Sequence, residues 1–251
     1  GKRFATLALR LHPVYPRGVT ASPAAPPEPA LAATIMLLRD QPAYEVLMIR
    51  RHHGLAFAAG ALVFPGGRIH ADDADPAWRD HADGWEGLDE PDRPLRIAAL
   101  RELYEETGVL LADRLATDEA GPKAVADGER SFLDVVQAAG ARLDLGTLAL
   151  FGRWVAPPEA ARRFDTWFYL ARAPRDCTPV CDGGEAVEAE WLSPSEALAL
   201  GQQGRRQLMF PTRMNLRRLA ACGGPEAAFA NAAATPVAPI RPRVYWQDGV
   251  K

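Results

Sequence analysis

The sequence has few cysteines, no long apolar run and no excess of positive charge. Its three cysteines, Cys177, Cys181 and Cys222, are too few for a disulfide framework, and their odd number favours free thiols. A structural zinc ion normally takes four ligands, so Cys177 and Cys181 alone are not expected to hold one. No apolar segment approaches the roughly 20 residues that a membrane helix needs. A secreted disulfide scaffold and a membrane protein are therefore not expected.

The charge balance is slightly acidic. A net charge of −3 creates no overall basic field, so nucleic acid is not an expected partner, and neither is a membrane. The first residues lack the apolar core of a signal peptide, and the last three, Gly249-Val250-Lys251, are not a peroxisomal address. We expect a cytoplasmic protein.

The composition is that of an ordinary globular chain, with 48% hydrophobic and 24% charged residues. Closely spaced prolines from Pro13 to Pro29 predict an extended N-terminal arm over residues 1–30. Short strands mixed with a few helices predict one α+β domain over residues 31–220. Residues 221–251 would form a C-terminal extension, and their Ala/Gly/Pro-rich first part predicts no particular structure.

Alternating and apolar segments bounded by turn residues predict the strands Ala33–Leu38, Glu45–Arg50, Ala61–Phe64, Leu148–Val155, Thr166–Ala171 and Ala186–Leu192. Helical spacing and caps predict the helices Pro94–Thr107, 123–139, Ala197–Leu200 and Gln207–Ala220. The acidic stretch 68–93 is typical of a loop.

The helix predicted at Pro94–Thr107 has two different sides. At about 100° per residue, its apolar side chains share one arc. The opposite arc carries three carboxylates, Glu102, Glu105 and Glu106. The simplest interpretation is a solvated acidic face. However, the carboxylates repel one another, and they lie at the helix's C-terminal end, where the helix dipole disfavours negative charge. Because oxygen ligands of this kind suit hard cations, the pattern favours a Mg²⁺ or Mn²⁺ site.

The residues from Arg101 to Val109, Arg-Glu-Leu-Tyr-Glu-Glu-Thr-Gly-Val, match the second half of the Nudix box, REUXEEXGU, in which U is a bulky aliphatic residue. Phe64-Pro65-Gly66-Gly67 matches the glycine that opens this box. The chain therefore resembles the Nudix hydrolases over roughly residues 31–220. This resemblance implies an α/β/α sandwich around a mixed β-sheet.

The spacing departs from the family pattern GX5EX7RE, which places the arginine 14 positions after the glycine. Gly67 and Arg101 are 34 positions apart, so 34 − 14 = 20 residues are extra. Counting back eight positions from Arg101 reaches Arg93, so we predict that the first acidic position is missing, or is supplied by Asp89, Glu90 or Asp92. An insertion at this point resembles the Nudix subgroup that includes the peroxisomal acyl-CoA diphosphatases.

The resemblance implies a role for each residue of the box. The metal ligands would be the carbonyl of Gly67 and the carboxylates of Glu102, Glu105 and Glu106, and Arg101 would hold those carboxylates in place. A catalytic base is also needed. Glu105 is one candidate, and the others lie outside the helix: Asp182, Glu185 and Glu188, of which Glu185 joins our predicted site.

Substrate contacts are harder to predict. Guanidinium groups match phosphate oxygens, so the candidates are Arg50, Arg51, Arg68, Arg162 and Arg163, although a single arginine is more often a surface residue. Trp78 and Trp85 in the insertion either anchor it against the domain, which we favour, or line a pocket for a pantetheine or acyl arm.

The expected function is Mg²⁺- or Mn²⁺-dependent cleavage of CoA or acyl-CoA to 3′,5′-ADP and (acyl-)phosphopantetheine. ADP-ribose, NADH or a dinucleoside polyphosphate are alternative substrates. A nucleotide-binding regulator without turnover is a second alternative, although such a protein has no need of three metal-binding carboxylates. The expected partner is thus a small nucleotide substrate, and a homodimer is left open.

Overall fold

The computed structural model describes residues 27–55, 58–113, 121–181 and 183–243. Most of the predicted arm, and Asp182, lie outside these ranges. The strands are β1 (Ala30–Arg39), β2 (Glu45–Arg51), β3 (Ala61–Val63), β4 (Gly66–Arg68), β5 (Ala82–Asp83), β6 (Leu143–Asp144), β7 (Ala149–Val155), β8 (Phe164–Arg172), β9 (Ala186–Leu192), β10 (Gln207–Leu208) and β11 (Pro239–Ile240). The helices are α1 (Asp92–Thr107), α2 (Gly121–Ala126), α3 (Phe132–Ala138), α4 (Pro194–Gln202), α5 (Phe210–Cys222) and α6 (Pro225–Ala234).

A mixed sheet forms the centre of the fold. Its main path runs β10-β3-β2-β1-β8-β7-β11, with β4 also paired to β1 and β9 to β2. Strand β1 pairs in parallel with β8 and antiparallel with β2 and β4. Since β1 has neighbours on both edges and helices over both faces, its residues from Ile35 to Leu38 are all buried, as a continuous apolar run predicts.

Two hydrophobic cores lie on opposite faces of the sheet. Alternate residues such as Ile35 and Leu47 join α1, α2 and α3 in one core. Their neighbours Met36 and Met48 join α4, α5 and α6 in the other. The expected α/β/α sandwich around a mixed sheet is therefore confirmed.

The structure corrects several predicted helices. The segment 123–139 forms two helices rather than one. Ser131 is the N-cap of the second helix, α3, because its side chain accepts a hydrogen bond from Asp134 N. The predicted helix at Gln207–Ala220 begins instead as the short strand β10, followed by α5. The stretch after residue 220, where no structure was predicted, forms α6, which buries Ala228 and Ala232. The proposed division at residue 220 stays a prediction.

The insertion is not the plain loop that its composition indicates. It forms short 3-10 turns at Ala71–Ala74, Pro76–Asp80 and Trp85–Gly87, and β5 pairs with β6. Trp78 is only 1% exposed. Its ring packs 5.6 Å from that of Phe132, and its Nε1 donates to the Asp72 carbonyl at 2.9 Å. Trp85 packs at the edge of the same core beneath the guanidinium of Arg93.

No helix in the described ranges is both long enough and apolar enough to span a membrane.

Because Trp78 is a buried anchor, we expect Trp78→Ala to lower the free energy of unfolding by about 3–5 kcal/mol. Trp85 is only partly buried, so Trp85→Ala should cost about half as much or less. Chemical denaturation of the two variants measures both values. Equal, small losses of stability would contradict the anchoring role of Trp78.

Candidate active site

Two glycines bring the chain close to the C-terminal half of α1. A Cβ on Gly66 would lie 2.5 Å from the Ala33 carbonyl oxygen, and a Cβ on Gly67 would lie 2.3 Å from Glu102 Oε1. At Gly66 the clash is with backbone, which only glycine avoids, whereas at Gly67 the end of the Glu102 side chain would have to move. With the backbone so close, the Gly66 amide donates a 2.9 Å hydrogen bond to Glu106 Oε2.

Arg101 is the centre of a buried network. Its Nε and Nη2 donate to the two carboxylate oxygens of Asp73 at 2.8 and 3.0 Å. Its Nη1 donates to Glu102 and Glu105, both at 2.9 Å. Nη2 also donates to the Arg68 carbonyl at 2.8 Å, which ties the network to β4. One guanidinium thus fixes two helix carboxylates, the insertion and the glycine strand.

Asp73 corrects our prediction for the first acidic position of the box. Asp89, Glu90 and Asp92 do not contact Arg101; Asp92, for example, accepts from Tyr169 at 2.6 Å. Counting forward six positions from Gly67 reaches Asp73, so the spacing GX5E is kept with aspartate in place of glutamate. The extra residues therefore follow Asp73, inside the stretch 68–93 that is called the insertion throughout. A forward count would have found it, whereas the backward count from Arg101 crossed the insertion.

The acidic side of α1 is not a solvated face. Glu102 and Glu106 are 7% and 5% exposed. Burial raises the pKa of Glu102 to about 7, against the opposing charge of Arg101. Burial, and next the charge of Glu102, raises the pKa of Glu106 well above its usual range. Burial also raises the pKa of Glu105. Close, desolvated carboxylates of this kind are unfavourable unless a proton or a cation neutralises them.

The residue types fit a divalent cation, although their side chains are not arranged as a complete coordination shell. Across the described ranges, no three His, Cys, Asp or Glu side chains have the mutual geometry of a metal site. Arg101 holds Glu102 and Glu105, and Gly66 holds Glu106. However, Glu106 Oε1 is buried without a hydrogen-bond partner. A buried carboxylate oxygen that accepts no hydrogen bond and lies beside a glycine strand is a ligand that Mg²⁺ or Mn²⁺ accepts.

Arg51 brings a further acid towards the helix. Its Nη1 lies 3.6 Å from Glu106 Oε1 and its Nη2 lies 3.6 Å from Glu185 Oε2. The pairing of β2 with β9 shifts register between Arg50 and Arg51, an irregularity of the kind that re-aims side chains near active sites. Glu185 is 63% exposed at its side chain, so it is accessible to solvent beside the buried Glu106.

These features can be compared with known proteins. A family model described as NUDT19 Nudix domain matches residues 86–219, more than half of the chain. The chain belongs to this family and is a Nudix hydrolase. Two curated relatives are each 29% identical: the human acyl-coenzyme A diphosphatase NUDT19, over 82% of this chain, and the putative nudix hydrolase 7 of Caenorhabditis elegans, over 75%. The chain spans 65% and 60% of the length of these two relatives.

A solved structure agrees with this assignment. The crystal structure of a NUDIX hydrolase from Alicyclobacillus acidocaldarius is 31% identical to the chain, with a TM-score of 0.72. The match covers 81% of this chain and 96% of that one. The sheet and helices described above are therefore the fold of a Nudix hydrolase.

The other predicted arginines of this Nudix hydrolase lie in different places. Successive side chains of a strand point to opposite faces, so Arg50, next to Arg51 on β2, points to the face of the sheet that does not carry α1. On that face its Nε donates to Glu188 at 2.8 Å. Glu188, one of the predicted bases, is thereby also turned away from α1. Arg68 is exposed directly after Gly67. Arg162 is exposed before β8, and Arg163 donates to the Pro27 carbonyl.

Because Asp73 and Arg101 form a buried pair, we expect Asp73→Asn to lower the free energy of unfolding by about 3 kcal/mol. It should also reduce kcat by about tenfold or more, because Arg101 then holds Glu102 and Glu105 less firmly. Denaturation and steady-state kinetics measure both effects.

Asp89→Asn is the matched control, since Asp89 is an exposed acid of the same insertion. Asp89→Asn should change neither the free energy of unfolding nor kcat. If the two variants behaved alike, Asp73 would not be the acid that orients Arg101.

Proposed function

We propose that the chain is a metal-dependent diphosphatase that cleaves CoA or a short acyl-CoA into 3′,5′-ADP and (acyl-)phosphopantetheine. The observation that carries the proposal is the set of three carboxylates beside a glycine strand, of which Glu102 and Glu106 are buried and Glu105 is partly buried. Their raised pKa values, and the buried Glu106 Oε1 that has no hydrogen bond, favour binding of a cation. The name of the human relative, an acyl-coenzyme A diphosphatase, supports the choice of substrate.

In this proposal the metal ligands are Glu102, Glu105, Glu106 and the carbonyl of Gly67. A bound Mg²⁺ or Mn²⁺ supplies Lewis-acid stabilisation of the diphosphate and lowers the pKa of the attacking water. Arg101 positions Glu102 and Glu105 through its two 2.9 Å hydrogen bonds. To bind a cation, these two carboxylates must turn part of their oxygen surface away from Arg101. Asp73 then remains as the bidentate partner that keeps the guanidinium charge in place.

Glu185 is the base that we favour for removing a proton from the attacking water. It is exposed, and Arg51 links it to Glu106. Glu105 is the alternative, but Arg101 and the metal would compete for its oxygens. Glu188 has less support, because Arg50 holds it on the other face of the sheet.

The other substrates of the family, namely ADP-ribose, NADH and dinucleoside polyphosphates, share the diphosphate but not the 3′-phosphate of CoA. Arg68 is the exposed arginine nearest to Gly67 in sequence, and no carboxylate partner is found for it among the described residues. We therefore propose that Arg68 contacts phosphate. Arg51, Arg162 and Arg163 stay candidates for phosphate contacts. Arg50 has less support, because its side chain lies on the face of the sheet opposite to α1.

If the carboxylates bind a divalent cation, Mg²⁺ or Mn²⁺ at about 100 times its Kd should stabilise the protein by about 2.7 kcal/mol. We expect Glu106→Gln to lose both this effect and turnover, because the substitution removes one ligand charge. Melting curves with metal and with EDTA, together with kcat, measure this. Appreciable activity of the variant at saturating Mn²⁺ would remove Glu106 from the ligands. Glu159→Gln, at an exposed glutamate, is the control and should behave as the unmodified protein.

The same variant gives a prediction for the metal-free protein. The pKa of Glu106 is raised in the folded state, so its charge opposes folding once the pH exceeds the ordinary glutamate value of about 4.3. In EDTA, Glu106→Gln should therefore be at least as stable as the unmodified protein, and its advantage should grow from pH 5 to pH 8. Denaturation across this range measures it, and an advantage that shrinks with rising pH would contradict the burial argument.

For the substrate, we expect kcat/KM for CoA to exceed that for dephospho-CoA by about tenfold or more, since a charge-assisted phosphate contact contributes roughly 1.5–3 kcal/mol. Arg68→Ala should reduce this ratio, whereas Arg175→Ala, at an exposed arginine far along the sequence, should not. Equal rates on CoA and dephospho-CoA would show that the 3′-phosphate is not recognised. A clear preference for ADP-ribose would exclude CoA while leaving the Nudix chemistry intact.

A further inference from the structure

A cleft of about 150 Å³ lies directly beside Arg101 and Glu105. One wall comes from the insertion, with His70, Asp72 and Trp78, and the other from α2, α3 and the turn between them. Glu105 belongs both to the proposed metal ligands and to this lining. A molecule in the cleft would therefore contact a carboxylate that the proposed function assigns to the metal.

The charges of the lining do not favour an anion. Three carboxylates, Asp72, Asp73 and Glu105, line the cleft together with His70 and two arginines, Arg101 and Arg130, so the acids outnumber the arginines. Arg101 is already shared among Asp73, Glu102 and Glu105, so it offers no unshared fork to a phosphate. Arg130 is also engaged, because its Nη2 donates to the Asp134 carbonyl. The 3′-phosphate end of a CoA-like substrate is thus poorly suited to this side of Glu105.

The aromatic rings of the lining do not favour a nucleobase either. A base binds well on an accessible aromatic face. Trp78 and Phe132 are 1% and 3% exposed, because their rings pack on each other and Phe132 also packs on Tyr104. Besides its charged groups, the cleft presents aliphatic and polar surface chiefly from Leu133 and Ser131, since Val125 is itself buried. Such a lining suits a slender, uncharged chain that carries amides.

We propose that this cleft receives the pantetheine arm of the substrate, next to the phosphate that stays with it after cleavage. The inference rests on the proposed cleavage of CoA. It gives the insertion and the α2–α3 pair a shared role as the walls that select the non-nucleotide half. The adenosine half then lies on the other side of the metal ligands, away from Asp72 and Asp73.

The two reaction products test the placement, because each carries one half of the substrate. Ala126 is exposed at the end of α2 and lines the cleft, so Ala126→Trp should fill it. With the full chain and Mg²⁺, inhibition constants are measured for 4′-phosphopantetheine and for 3′,5′-ADP against CoA hydrolysis. We expect Ala126→Trp to raise the first constant by about tenfold and to leave the second within about twofold. Ala227→Trp, at an exposed alanine of α6, is the matched control and should change neither.

Unchanged constants in a folded Ala126→Trp variant, or equal increases in both, would overturn the placement. If that variant does not fold, Leu133→Ala provides a second test by removing a contact; it should weaken 4′-phosphopantetheine alone, and no change would overturn the placement. Failure of the proposed function is distinguishable: the unmodified protein would then not cleave CoA, and the placement would be overturned with it. Cleavage of CoA without the selective effect would overturn the placement only.

Discussion

The buried guanidinium of Arg101 is the interaction on which the arrangement of the site depends. It binds Asp73 from the insertion, Glu102 and Glu105 from α1, and the carbonyl of Arg68 from β4. A buried charge is tolerated only when it is paired and hydrogen-bonded. Arg101 therefore needs all of these partners, and each of them is in turn fixed by Arg101. Sheet, helix and insertion meet at this one side chain.

The second constraint is the closeness of the glycine strand to α1. Because Gly66 leaves no room for a Cβ and a Cβ on Gly67 would displace the Glu102 carboxylate, the helix carboxylates are enclosed between α1 and β4 rather than exposed to water. Enclosure raises their pKa values and leaves Glu106 Oε1 without a hydrogen bond, although the Arg51 guanidinium lies 3.6 Å from it. The same enclosure that opposes ionisation in the free protein favours a bound cation, since the cation stabilises the charged carboxylates that desolvation destabilises.

The insertion serves this site although it interrupts the motif. Its first residues supply Asp73, and Trp78 then anchors its return against Phe132 of α3. His70, Asp72, Asp73 and Trp78 of the insertion form one wall of the cleft beside Glu105. The extra residues thus leave the proposed metal ligands in place and change the surface next to them.

Local sequence patterns determined much of this protein. The helical spacing placed Glu102, Glu105 and Glu106 on one side of α1, and the turn and strand signals identified β1, β2, β7, β8 and β9 to within two or three residues. These features depend on neighbours in sequence, so they can be predicted without the fold. Only the tertiary structure decided that the acidic side is buried, that Asp73 pairs with Arg101, and that Arg51 rather than Arg50 faces Glu106. Those outcomes depend on which strand face meets the helix and on how a long insertion returns to it, and residues distant in sequence decide both.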